Sequence, residues 1–259
     1  MSLDWWRWKI GKWILRVYFY SLQNQTAAKM YRSGWRFINH FSFLFQESQL
    51  GENPLQMRKQ EQLFGRVLKC YKRYYPSFVA PIAMVGEADV LQELRECNGG
   101  LIITIHTGLT AIHERLFEDI GGHLKTITIS PGHFAVWGKI LGMKGVPQTI
   151  AKNEYALLKA RRCCANGHFV VNGVDYPWGA DAMGKSNLFV SPSFFKFAKL
   201  IQQPVYYSVA FVDDNGGLNV AFARAPLVNI DDMFEDFTKF IKRYTGVEKR
   251  WSLQVEPKA

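Results

Sequence analysis

Carboxylates are in short supply. The 259 residues carry 22 Asp and Glu against 32 Lys and Arg, a formal net charge of +10 and a pI near 9.4. A basic surplus of that size points to an anionic partner. Nucleic acid, an anionic membrane and an acidic carrier protein all qualify, and charge does not choose among them. Cysteine is also scarce: Cys70, Cys97, Cys163 and Cys164, with no C-x-x-C pair. Adjacent cysteines rarely bridge, so reduced thiols in a cytosolic compartment are expected, with neither a disulfide framework nor a zinc site. There is no internal repeat and no low-complexity tract. No flexible linker follows the amino-terminal third, only Pro76 and Pro81. Residues 4–22 hold neither an uninterrupted apolar core with a small-residue cleavage site nor the about 20 mostly apolar residues that a membrane span needs.

Aromatic residues, at 15%, are abundant, and the amino terminus concentrates them. Trp5, Trp6, Trp8 and Trp13 stand among Arg7, Lys9, Lys12 and Arg16 in DWWRWKIGKWILRVYFYSL. Tryptophan and tyrosine prefer the bilayer interface, and lysine and arginine meet anionic headgroups. The stretch reads as a helix lying on an anionic membrane; the other reading docks its aromatic face on the protein's own body. Helical patterns follow over roughly 25–48 and 54–75, the second opening on Asn53-Pro54 and rich in basic residues. Residues 1–80 are therefore expected to form a helical, membrane-associating region. His40 within it reads as structural.

From residue 82 the pattern alternates. Strands are expected over 82–86, 101–105, 124–129, 147–150, 168–174, 188–191, 204–212 and 218–224. Helices are expected over 87–97, 108–120, 133–143, 152–165, 193–202 and 230–244, with a loop over 175–187. Asp213-Asp214-Asn215-Gly216-Gly217 between two apolar runs is a hairpin turn. Residues 81–259 thus predict an α/β domain, expected to form one continuous structural unit: a mixed, mostly parallel sheet covered by helices on both faces.

Leu101–Ile105 is apolar and β-branched, and it stops at His106-Thr107-Gly108 before a helical pattern. In open α/β sheets, sites are built at the carboxyl ends of strands, which makes His106 a candidate. Polar residues near other strand ends are candidate donor or acceptor contacts: His133, Lys139, Asp175 and Lys185. His123 reads as a loop residue and His168 as the start of a strand. Gly179 to Ser186 fits G-x-x-x-x-G-K-[ST], but a phosphate loop must follow a strand directly and open a helix at its lysine. Here Pro177 intervenes, and NLFVSP after Ser186 reads as a strand, so no nucleotide site is expected. His113-Glu114 begins an H-E-x-x-H motif that fails at Phe117.

The order of short motifs resembles the lysophospholipid acyltransferase-like superfamily, closest to the bacterial lipid A late acyltransferases that transfer lauroyl and myristoyl chains. VLQELRECNGGLIITIHTG matches that group's helix, turn, buried strand and H-x-G. HFAVWGKILG, ANGHFVVNGVDYPWG and GKSNLFVSPSFFKFAKLIQQPVYYSVAF follow in the same order, and Lys249-Arg250-Trp251 lies near the end. The resemblance spans about 82–252. It implies that His106 is the general base on an acceptor hydroxyl attacking an acyl thioester, with Thr107 and Gly108 at the substrate. It also implies a carboxylate five residues on, where this chain has Ala111. Glu114, one helical turn later, and Asp175, at another strand end, are the candidate replacements; an ordinary surface acid is the alternative reading of Glu114. The implied donor is an acyl thioester on coenzyme A or acyl carrier protein, and the acceptor a hydroxyl or amine of a lipid or glycolipid. No metal, redox cofactor or nucleic acid is implied. The implied location is peripheral, on the cytoplasmic face of the inner membrane. A non-catalytic lipid-binding homologue is the alternative that Ala111 favours.

Overall fold

The computed structural model describes residues 3–21, 29, 33, 36–37, 82–96, 99–105, 111–128, 141–145, 148–180, 186–190, 192–212, 217–245 and 253–255. The chain forms two compact units, Met1–Pro81 with Val212–Gly217, and Ile82–Phe211 with Leu218–Ala259.

In the first unit, helix α1 spans Leu3–Ser21. Trp6, Ile10, Trp13, Val17 and Tyr20 recur at spacings of three and four, so they share one face, and all five are exposed. Tyr18 turns elsewhere: its hydroxyl donates to the Ser33 carbonyl at 3.3 Å, and its ring stacks on Phe37 with centroids 4.5 Å apart. No helix among the described residues is long and apolar enough to cross a membrane. The helix expected over 54–75 lies outside the described residues, as does most of that over 25–48.

In chain order, the remaining elements are β1 Ile82–Val85, α2 Ala88–Glu96, β2 Gly100–Thr104, α3 Ile112–Asp119, β3 Leu124–Thr128, β4 Gln148–Ala151, α4 Ala156–Ala165, β5 Phe169–Gly173, β6 Asp175–Ala180, β7 Ser186–Val190, α5 Pro192–Leu200, β8 Val205–Val212, β9 Leu218–Arg224, α6 Ile230–Thr245 and β10 Leu253–Val255. Seven strands form one sheet in the order β1-β9-β8-β2-β5-β3-β4. Every pairing from β8 through β4 is parallel, as is β1 with β9. The neighbours β8 and β9 are joined by five residues, too few for a parallel crossover, so that pair is antiparallel and the sheet is mixed. Four of those joining residues, the expected hairpin turn, lie outside the described set.

The central strands β2 and β5 are buried at every position, as a parallel sheet covered on both faces requires. On one face Leu101, Ile103, Val170, Val205 and Tyr207 pack in a core with Phe195 of α5 and Phe237 of α6. On the other, Phe117 of α3 packs on Phe169 at 4.8 Å and on Phe222 at 6.3 Å. Gly99 enters β2 at φ +106, where an added Cβ would come within 2.8 Å of the Cys164 and His168 carbonyl oxygens, so the turn before the strand requires glycine.

Two expectations need correction. Residues 175–180 are not loop but strand β6, antiparallel to β7 in a second, three-stranded sheet ordered β10-β7-β6. Pro177 argued against a strand, yet β6 is an edge strand, where a missing N–H is tolerated. Helix α4 starts at Ala156 rather than 152 because Asn153 builds a turn there. Its side-chain oxygen accepts from the Tyr155 N–H at 3.1 Å, and its carbonyl from the Ala156 N–H at 3.0 Å.

Candidate functional site

Strands β2 and β5 run side by side with Thr104 opposite Gly173. The Val174 N–H donates to the Thr104 carbonyl at 2.9 Å, so the pairing persists one step past β5. Both strands therefore finish together at the carboxyl edge of the sheet. Ile105 is buried there, and the chain proceeds to position 106; Asp175 opens β6 two residues after Gly173. Two candidate positions separated by 69 in sequence thus follow strand ends that are neighbours in space. His106, Thr107, Gly108, His133, Lys139 and Lys185 lie outside the described residues, and for Asp175 the backbone alone is described.

Helix α3 follows at once. Ala111, the residue five past His106, is a buried N-cap with no side-chain cap hydrogen bond. The next turn carries two buried polar residues in succession, His113 and Glu114. Successive helical side chains diverge by about 100°, so the two reach different strands. His113 Nε2 lies 2.6 Å from Ser208 Oγ on β8, and the Thr126 hydroxyl on β3 donates to Glu114 Oε1 at 2.6 Å. Because β8 and β3 flank β2 and β5 in the sheet, these two hydrogen bonds pin the first turn of α3 across four strands.

Glu114 is therefore not a surface acid: it is 4% exposed. Its second carboxylate oxygen, Oε2, is buried without a hydrogen-bond partner among the described residues. Burial pushes its pKa up to about 7, against the lowering effect of the Thr126 hydrogen bond. Lower on the same helix, Arg115 donates to the Leu141 carbonyl at 2.8 Å and pairs with Asp119 at 2.6 Å. Glu118 accepts from the Lys144 and Gly145 N–H groups at 2.9 and 2.8 Å. Beside them is a hollow of about 180 Å³ lined by Glu114, Glu118, His123 and Met143. Leu124 and Gln148, the first residues of β3 and β4, also line it, so it sits at the amino edge of the sheet, opposite the ends of β2 and β5.

The His113–Ser208 and Glu114–Thr126 pairs were not legible as pairs in sequence. The one available signal was two polar residues inside a helix whose other inward positions, Ile112, Leu116 and Phe117, are apolar. Ser208→Ala removes this buried hydrogen bond to His113, and the expected loss is about 1 kcal/mol in urea unfolding.

Residue Ser186 begins strand β7, not a helix, so the G-x-x-x-x-G-K-S stretch lacks the helix amino terminus that would hold a phosphate. Equilibrium dialysis should find no magnesium-dependent ATP binding at micromolar concentration, and Lys185→Ala should change nothing. Among the described residues, no group of three or more His, Cys, Asp or Glu is placed to hold a metal ion. Cys163 and Cys164 are free thiols, and His168 directly precedes β5.

Comparison of the chain with protein-family models and with curated proteins gives no match.

Proposed function

We propose that this chain is a membrane-peripheral acyltransferase that moves an acyl group from a thioester to a hydroxyl or amine of a lipid or glycolipid. The observation that supports the reading is the common ending of β2 and β5 at one sheet edge, after which the sequence runs on to His106 from one strand and to Asp175 from the other. In this mechanism His106 takes the acceptor's proton as the acceptor oxygen or nitrogen attacks the thioester carbonyl. The tetrahedral intermediate collapses, the C–S bond breaks, and the imidazolium returns the proton to the leaving sulfur. A carboxylate against the ring fixes its tautomer and stabilises the imidazolium.

Asp175 suits that role better than Glu114. One oxygen of Glu114 is occupied by Thr126, and a carboxyl with a pKa of about 7 is half protonated at neutral pH. Asp175→Asn is therefore expected to reduce turnover by at least about tenfold, and Glu114→Gln by no more than a few fold. Initial rates with an acyl thioester and a glycolipid acceptor test this. The reverse ranking would make Glu114 the orienting acid.

The reading also has the exposed face of α1 meet an anionic bilayer at the cytoplasmic side of the inner membrane. Trp6, Trp13 and Tyr20 lie along it, with Lys9 and Arg16 exposed on the same helix. Replacing Trp6 and Trp13 by Glu should weaken cosedimentation with phosphatidylglycerol vesicles by at least about tenfold. Unchanged cosedimentation would remove α1 from the membrane contact.

A further inference from the structure

Glu114 has one carboxylate oxygen to spare. Thr126 occupies Oε1, while Oε2 is buried with no hydrogen-bond partner among the described residues. Such an oxygen is costly in either protonation state, since a carboxylate needs a donor and a carboxyl proton needs an acceptor. Glu114 also lines the hollow of about 180 Å³ bounded by α3 and the first residues of β3 and β4. That hollow has a definite charge. Glu114 and Glu118 both line it, and no lysine or arginine does among the described residues, in a chain of net charge +10. Glu118 is already satisfied by the Lys144 and Gly145 N–H groups, with Arg115 4.0 Å away. Arg115 in turn is held by Asp119 and the Leu141 carbonyl. Leu124 and Met143 add apolar wall, and exposed His123 and Gln148 complete the lining. The unmet demand is therefore a single anionic oxygen beside apolar surface. Glu114, Glu118 and His123 are not placed to hold a metal ion together, so the complement is an organic cation.

We propose that this hollow binds a small primary amine, its ammonium group donating to Glu114 Oε2 and its alkyl part lying against Leu124 and Met143. The size agrees: a cavity of about 150 Å³ takes benzene, so about 180 Å³ admits a ligand of about six heavy atoms. One spare oxygen calls for one ammonium, which makes the ligand a monoamine. The hollow sits at the amino edge of the sheet, opposite the ends of β2 and β5. The amine is thus neither acyl donor nor acceptor, and the proposal stands independently of the acyl-transfer reading. Without ligand, burial keeps a proton on Glu114 up to about pH 7. An arriving ammonium displaces that proton to the buffer and takes its place beside the carboxylate. Binding therefore strengthens as pH rises through that value. The other titratable groups at the hollow are Glu118 of α3 and His123 before β3; β3 and β4 contribute neutral Thr126 and Gln148.

The test is isothermal titration calorimetry of the full chain with n-butylammonium chloride, in constant NaCl. At about pH 8 one saturable site with a Kd of about 1 mM or tighter is expected. n-Butanol, which has the same shape without the charge, should bind at least about tenfold more weakly. Glu114→Gln should cost at least about tenfold in affinity, and its urea midpoint shows that the fold is intact. Gln148→Lys, at an exposed position, places a cation at the hollow and should weaken binding by at least about threefold. Lowering the pH to about 5.5 should weaken the parent's binding by at least about tenfold, in His123→Gln as well. No saturable heat up to about 50 mM amine, well above the ligand-efficiency expectation, overturns the proposal. Equal affinity in Glu114→Gln, or equal binding of n-butanol, does so too, since the hollow would then take alkyl groups without using the carboxylate.

Discussion

His106→Ala is expected to lower acyl transfer by at least about 100-fold, the usual worth of a positioned general base, with the urea midpoint unchanged. The magnitude follows from the nucleophile. A hydroxyl is a poor nucleophile until its proton is removed, and imidazole, with a pKa near neutrality, removes it in the transition state with the least mismatch. The unchanged stability follows from position. The core under this edge is built by Leu101, Ile103 and Ile105 of the strand run and by Ile112, Leu116 and Phe117 of α3, all of them buried, and the substitution leaves these residues in place. A large drop in midpoint would mean that His106 is a structural residue. A fall in kcat with KM unchanged is the signature of a group used in the chemical step.

The second large effect is a pH dependence of stability that originates in Glu114. Its folded-state pKa is raised from 4.5 to about 7 by burial. Between those values the folded state holds a proton that the unfolded state has released, so stability falls as pH rises. The contribution is complete below the unfolded value and is lost as pH passes through the folded one. The change is on the order of 3 kcal/mol across that window. Glutamine keeps an oxygen for Thr126 and has nothing to ionise. Glu114→Gln should therefore be markedly more stable than the parent at about pH 8 and closer to it at about pH 4.5. Urea midpoints of both proteins at those two values measure the difference. Parallel slopes would mean that Glu114 is ionised at neutral pH through a partner beyond Thr126.

The run Leu101–Ile105 was legible because a strand buried on both faces must be apolar throughout, and β2 is. The alternation of strand and helix gave the class of fold for the same reason. Pairing order was not legible, since nothing local to Ser208 or Thr126 says that β8 and β3 stand on either side of β2 and β5. That order alone turns His113 and Glu114 from surface-like polar residues into buried ones hydrogen-bonded to the sheet. Strand β6 was hidden by Pro177, because edge placement is a tertiary fact. For the candidate site, the approach of the chain to His106 could be read from the end of an apolar run. That the strand leading to Asp175 ends beside the strand leading to His106 could not, because it depends on β5 pairing with β2 in a register that sets Thr104 against Gly173.

The central claim is chemical and has a direct measurement. The purified full chain, on phosphatidylglycerol vesicles containing a hydroxylated glycolipid, is incubated with a radiolabelled acyl thioester, and label is counted in extracted lipid. The account predicts time-dependent transfer to the lipid with stoichiometric thiol release, abolished to background by His106→Ala. Label that stays on the protein or the thioester, with no lipid product from either coenzyme A or carrier-borne donor, would contradict it and leave a lipid-binding protein in its place.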